Sequence, residues 1–216
     1  MIEVLFEGTH TNKIHQEGHY SIDPLGSSVT LIRLPDVNVL FDTSSFIYKD
    51  RLLEALEARG LKPSDIHHVV NSHYHLDHCF NNHLFQETSE QHTNHATLRK
   101  DGSVHIYIDS SLRPLPKGLV LVDTPGHTGP DVSVRYEWEH EVWMCVGDAV
   151  REDIIRGESK LTAAHPDKFV ESMELIFNEA DVIVPGHGPV IRGELKTELH
   201  ALVKQLHLKL PSHVSD

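Results

Sequence analysis

At 216 residues with 39% apolar side chains, the chain is long enough to bury a substantial core, and one domain spanning 1–216 is expected. Its 32 acidic against 19 basic residues, a formal charge of −13, disfavour tight nonspecific binding to polyanions. No run approaches the ~18 apolar residues of a membrane span, residues 1–8 carry no basic leader, and two cysteines, Cys79 and Cys145, are too few for a disulfide framework, so a reduced cytoplasmic protein is expected.

In chain order, residues 1–8 read as a first strand, and 29–34 and 37–41 as short strands around the turn Pro35-Asp36. Leu52, Leu53 and Leu56 make an apolar stripe in a helix over 48–59, which Gly60 is placed to end with an αL cap. The polar segment 86–103, containing Gln91-His92-Thr93-Asn94-His95, is either a loop over a site or a solvated surface turn; the usual fate of polar loops favours the second. Pro166 opens a helix with Phe169, Met173, Ile176 and Phe177 on one face. A last helix carries Leu195, Leu199, Leu202, Val203 and Leu206, and both stripes read as core.

The densest chemistry is His73-Tyr74-His75-Leu76-Asp77-His78, three imidazoles and a carboxylate on one loop. Imidazole nitrogen and carboxylate oxygen are ligands that zinc and other first-row divalent ions accept. His73 and His75 can turn toward one ion while Asp77 and His78 turn toward a second. Chance clustering among 19 histidines is the plain alternative. Recurrence argues against it, because three further apolar runs lead through a breaker into a ligand: 119–122 into Asp123-Thr124-Pro125-Gly126-His127, 142–146 into Gly147-Asp148, and 182–184 into Pro185-Gly186-His187. With 69–72 leading into His73, four strands deliver side chains to loops at one end of a sheet, where open α/β folds place their sites. Five histidines and two aspartates, His73, His75, Asp77, His78, His127, Asp148 and His187, suffice for two metals with open positions.

The string at 73–78 with His127, Asp148 and His187 following in order resembles the HxHxDH signature of the metallo-β-lactamase superfamily. The resemblance implies an α/β fold, a four-layer αβ/βα sandwich. It also implies His127 as third ligand of the first metal, Asp148 as the bridging carboxylate and His187 as last ligand of the second. The family's early aspartate after a strand is matched by Leu40-Phe41-Asp42-Thr43, with Ser44 where glycine usually stands, a departure that bears only on the local turn. The strings 124–127, 131–134 and 180–189 are most similar to a small subgroup called metallo-β-lactamase domain-containing protein one, associated with phosphodiester and RNA cleavage as well as small-molecule roles. The chain leaves no room for the clamp domains of the larger nucleases of the superfamily.

Two divalent ions, zinc by default with iron, manganese or nickel also accommodated, would share a water, lower its pKa toward neutrality and polarise the oxygen of a bound ester. The bridging hydroxide would then attack. Asp77 is the expected catalytic residue, orienting the nucleophile or carrying its proton to the leaving group. Asp42 and Asp123 are candidate acceptors for the outer imidazole nitrogens, with a turn cap the equal alternative for Asp123. Arg151 is a candidate for an anionic substrate group or for an ion pair with a neighbouring acid. Tyr74 could face the cleft or pack beneath it, and His165 could cap the helix at Pro166 or face the site. Cys79 reads as a small packing residue under the metal loop.

The leading expectation is a dinuclear hydrolase of a small ester-like substrate, carboxylic, lactone, thioester or phosphoric. One alternative is an RNA or phosphodiester nuclease, for which Arg99, Lys100, Arg113 and Lys117 could form a basic rim. Another is a mononuclear iron oxidoreductase resembling the persulfide dioxygenases, which use fewer of the seven ligands. A homodimer is left open and no membrane partner is expected.

Overall fold

The computed structural model describes residues 1–109, 112–159 and 163–207. The chain opens with β1 (Ile2–Phe6), a long hairpin of β2 (Thr9–Gln16) and β3 (His19–Gly26), then β4 (Val29–Arg33) and β5 (Asn38–Phe41). After α1 (Lys49–Glu57) come β6 (His68–Val70), the short α2 (Leu76–Cys79) and three short strands, β7 (Glu90–His92), β8 (Ala96–Leu98) and β9 (Val104–Ile106). The second half runs β10 (Leu119–Asp123), β11 (Val132–Trp138), β12 (Glu141–Gly147), α3 (Glu152–Ile155), α4 (Pro166–Glu179), β13 (Val182–Pro185) and α5 (Gly193–His207). One sheet has the order β1-β4-β5-β6-β7-β8-β9 and the other β10-β11-β12-β13, while β2 and β3 pair only with each other.

Alternation along the central strands decides the layering, because successive side chains of a strand point to opposite faces. Leu31, Leu40 and Val69 pack with Leu52 and Leu56 of α1. Their chain neighbours Ile32, Val39, Phe41 and Val70 turn the other way and meet Val134, Cys145 and Val184 of the second sheet. That sheet splits likewise: Met144, Val146 and Ile183 lie against Phe169, Met173, Ile176 and Phe177 of α4 and Leu199 and Val203 of α5. Three apolar interfaces therefore separate four layers, helix, sheet, sheet, helix, which is the expected αβ/βα sandwich. The strands between them are buried on both faces, so they read as near-continuous apolar runs.

The helix signals act as their chemistry requires. Gly60 takes φ +68 just after α1 and its N–H bonds Glu57 O at 2.8 Å. Pro166 stands in the first turn of α4, where its missing N–H costs nothing. The turn after β5 is left-handed at Asp42 (φ 57) and Ser44 (φ 62), the second being the position where glycine was expected. The buried Asn81 amide holds it by donating to the carbonyls of Thr43 and Ser45 at 2.9 and 2.8 Å.

One feature departs from expectation and another carries no sequence signal. Segment 86–103 is neither a lid nor a surface turn, since β7 and β8 within it extend the first sheet. These strands are three residues long and polar, too short for alternation to show. The β2–β3 hairpin also has no apolar period to mark it, with Ile14 85% and Tyr20 62% exposed. Among the described residues no helix is long and apolar enough to cross a membrane.

Candidate metal centre

The loops after β6, β10, β12 and β13 converge at one edge of the sandwich, as their common strand–breaker–ligand pattern requires. Three donor groups result, each with its ligand atoms within 4.8 Å of one another: His73, His75 and His127; His73, His78 and Asp148; Asp77, His78 and His187. Asp148 joins them. Its Oδ1 lies 3.2 Å from His78 Nε2 and 3.3 Å from His187 Nε2, while Oδ2 lies 3.4 Å from His127 Nε2. Asp77 Oδ2 stands 3.4 Å from His78 Nε2 and 3.3 Å from His187 Nε2. His127 Nε2 and His75 Nδ1 are 3.1 Å apart.

The outer nitrogens of His73 and His78 are satisfied and their inner ones are not. Asp42 is buried and accepts from the Ser72 N–H, the Ser72 hydroxyl and His78 Nδ1–H, each at 2.8 Å. With its hydroxyl proton given to Asp42, Ser72 Oγ accepts from His73 Nδ1–H at 3.0 Å. Both tautomers are thereby set, and the Nε2 atoms of His73 and His78 turn inward. Buried polar atoms without any hydrogen-bond partner concentrate here: Nε2 of His73 and His78, both ring nitrogens of His187, Nδ1 of His127 and Asp148 Oδ1. A buried, unpaired imidazole nitrogen facing a carboxylate oxygen is costly unless a cation or proton lies between them.

The electrostatics carry the same message. Burial alone would raise the Asp148 carboxyl, but the His187 and His78 imidazoles outweigh it and hold it well below the ordinary carboxylate range. Burial likewise opposes ionisation of Asp77, and hydrogen bonds from His187 and His78 hold it down. Burial would lower His78, yet Asp148 and Asp42 raise it well above an ordinary imidazole. His73, by contrast, is pushed down to about 2 by burial, with His78 adding to the effect. Ionised carboxylates around a fully enclosed imidazole make a pocket that attracts positive charge, and the donor set fits divalent metal.

Gly186 shows how closely the centre is built. A Cβ there would meet Asp148 Oδ1 at 2.4 Å and His78 Cε1 at 2.8 Å. Gly186→Ala should therefore splay the donor groups, lower metal content after dialysis and cost about 1–3 kcal/mol as overpacking. Wild-type metal content and thermal stability in that variant would show that the approach is not needed.

The remaining sequence candidates fall in different places. Asp42 serves His78, as expected. Asp123 does not serve an imidazole: it is exposed and pairs with Arg113 at 3.3 Å and the Asn94 amide at 3.0 Å. The carboxylate that braces the His127 loop is Asp131, whose Oδ2 accepts the N–H groups of Gly126 and Thr128 at 3.1 and 2.6 Å. Its spacing from Gly126 resembles any turn acid, so only the fold identifies it. Arg151 is buried and forked to Asp153 at 3.0 and 2.8 Å, with Nη1 3.6 Å from Asp148 Oδ2. Tyr74 is 53% exposed and is not among the residues lining the adjoining cavity. His165 caps α4 through its backbone only, with an exposed ring outside that cavity. Cys79 donates its thiol to backbone carbonyls, the nearer His75 O at 3.3 Å, and joins no donor group.

Over the centre lies a cavity of about 740 Å³. Its floor is His75, Asp77, His127, Asp148 and His187, and Arg151 reaches it from the side. Its outer wall is the β2–β3 hairpin, with His10, Asn12, Ile14, Tyr20, Ile22 and Leu25. His10 packs edge-on to His187 with ring centroids 5.2 Å apart. No spacing signal in the sequence connects this hairpin to the metal motifs. Neither segment 86–103 nor Arg99, Lys100, Arg113 and Lys117 contribute to the lining.

Residues 22–96 match the family described as the Metallo-beta-lactamase superfamily. Over 169 residues the chain is 36% identical to Metallo-beta-lactamase domain-containing protein 1 of Xenopus laevis, covering 76% of this chain and 72% of that one. A metallo-beta-lactamase-fold protein from Thermotoga maritima superposes with a TM-score of 0.64 at 19% identity, covering 89% of this chain and 98% of the other. An N-acyl homoserine lactone hydrolase with N-hexanoyl-L-homoserine at its catalytic metal centre superposes at 0.59 and 19% identity, covering 86% and 92%. At those identities the structures establish the shared fold, while the Xenopus relative establishes kinship. With the layered fold, the converging histidines and these likenesses together, the chain belongs to the metallo-β-lactamase superfamily, whose members are metal-dependent hydrolases.

Proposed function

We propose that the protein is a dinuclear zinc hydrolase of a small ester-like substrate. The Asp148 carboxylate carries this reading, because its two oxygens reach different donor groups, one toward His78 and His187 and the other toward His127. His73, His75 and His127 would hold one ion, Asp77, His78 and His187 the other, and Asp148 both. Neutral imidazoles and carboxylates suit zinc, although iron, manganese and nickel accept the same donors. A pair of ions held by these residues would supply a water acidic enough to attack at neutral pH and would polarise the scissile carbonyl or phosphoryl oxygen.

The side chains around them divide the remaining work. Asp77, ionised at the cavity floor, orients the attacking water and carries a proton to the leaving group. Arg151, already fixed by Asp153, offers a guanidinium to an anionic part of the substrate. Ile14, Tyr20 and Ile22 of the hairpin give the cavity an apolar outer wall. The free thiols of Cys79 and Cys145 fit a reducing, cytoplasmic setting. Because all seven ligand positions are filled, hydrolysis is favoured over mononuclear iron chemistry.

A cavity of about 740 Å³ suits a small molecule. Among its described lining residues Arg151 is the sole Lys or Arg, which is no track for a polynucleotide. A panel of carboxylic esters, lactones, thioesters and phosphodiesters, with lactones included for the likeness to the homoserine lactone hydrolase, tests the reading. At least one small class should give a higher kcat/KM than labelled single-stranded RNA at moderate salt. Efficient RNA cleavage that weakens steeply as salt rises would put a nuclease in its place.

A further inference from the structure

Outside the catalytic centre, one other group of metal-ligating side chains comes together among the described residues: His68, Glu90 and His92, with donor atoms within 4.8 Å of one another. They lie on the adjacent parallel strands β6 and β7, where His68 stands opposite Glu90 and Val70 opposite His92. By alternation, 68, 90 and 92 share the sheet face of Val70. We propose that these three residues form a separate zinc-type site that clips β7 to β6.

Several independent features support it. His68 Nδ1 and His92 Nε2 are hydrogen-bonded at 2.9 Å, and an ion would take the place of that shared proton if the two nitrogens opened to the ~3.3 Å of a tetrahedral zinc pair. The far nitrogen of His92 is fixed by Thr97 of the next strand, with Nδ1 3.0 Å from its hydroxyl, the outer support that a ligating histidine usually has. Burial pushes the His92 imidazole down to about 3 and lowers that of His68. Glu90, whose Oε1 also pairs with Arg99 at 3.3 Å, supplies a carboxylate oxygen as the third donor. Lys100 also acts on His68 electrostatically, and with Arg99 it makes the site weaker than the catalytic pair.

The clip has a structural use. β7, β8 and β9 are three residues each, and all of β9 is exposed, so little apolar packing holds this end of the sheet. An ion bound by the folded strands alone stabilises them by mass action. The site shares no residue with the catalytic donor groups and none with the cavity lining.

The test compares the wild-type protein with His68→Gln and with Glu90→Gln in the same zinc-buffered solution, counting bound zinc by elemental analysis. The wild type should hold one more ion per chain than His68→Gln, and Glu90→Gln should take up that ion with at least about tenfold weaker affinity. Zinc should also slow backbone hydrogen exchange across 90–98 in the wild type and not in His68→Gln. The difference between the proteins reads the clip, while the residual count in His68→Gln reads the catalytic centre, so either reading can fail alone. Equal zinc counts in wild type and His68→Gln, with both circular dichroism spectra native, would overturn the proposal.

Discussion

Replacing Asp77 by alanine is expected to lower kcat at least about 100-fold, the low end of what a positioned acid–base group contributes, while leaving the fold intact. The carboxylate sits at the edge of the cavity on the four-residue helix α2, beyond the strands that carry the core. Its Oδ2 faces both His78 and His187, so the change removes one ligand of the second proposed ion and an ionised group of the cavity lining. Because the loss acts on the chemical step, kcat should fall more than KM rises. Circular dichroism should remain close to wild type, and so should thermal unfolding of the metal-free protein. A hydrolytic rate within about threefold of the parent, on any substrate the parent cleaves, would remove Asp77 from its catalytic role.

Asp42→Ala should damage both stability and metal binding. Its carboxylate takes three donors that have no alternative partner of equal quality, the Ser72 N–H, the Ser72 hydroxyl and His78 Nδ1–H. Leaving buried donors unsatisfied costs about 1–3 kcal/mol. The His78 ring loses the bond that fixes its tautomer, and the Ser72 hydroxyl, which sets His73, is released with it. Loss of such outer partners typically lowers metal affinity or activity about 10–100-fold. Thermal unfolding in the presence and absence of added zinc separates the two effects: the midpoint should drop in both, and the gain on adding zinc should shrink. Wild-type midpoints and an unchanged response to zinc would show that Asp42 is only a turn residue.

The layered core was legible because it is written in periods. Leu31 against Ile32, and Val69 against Val70, alternate between two apolar layers, while the α4 stripe from Phe169 to Phe177 follows helical spacing. The convergence of the candidate metal-binding side chains was legible because they follow strand ends, where chain direction alone brings them to one edge. Asp123 and Asp131 mark the limit. Both are acids flanking the same loop, and only the folded turn reveals that Asp131 meets the backbone of Gly126 and Thr128 while Asp123 faces Arg113. The hairpin wall was invisible for the opposite reason. Its strands pair with each other over the cavity, bury little, and so have no need of the alternation that announces a core strand. Strands β7 to β9 were missed because three residues are too few to show a period.

Metal content tests the central claim most directly. Elemental analysis of the protein, purified gently and dialysed without chelator to remove weakly held ions, should find two zinc ions per chain, and Asp148→Ala should lose most of both. A reproducible single iron per chain, with no gain of hydrolytic activity on adding zinc, would contradict the dinuclear hydrolase.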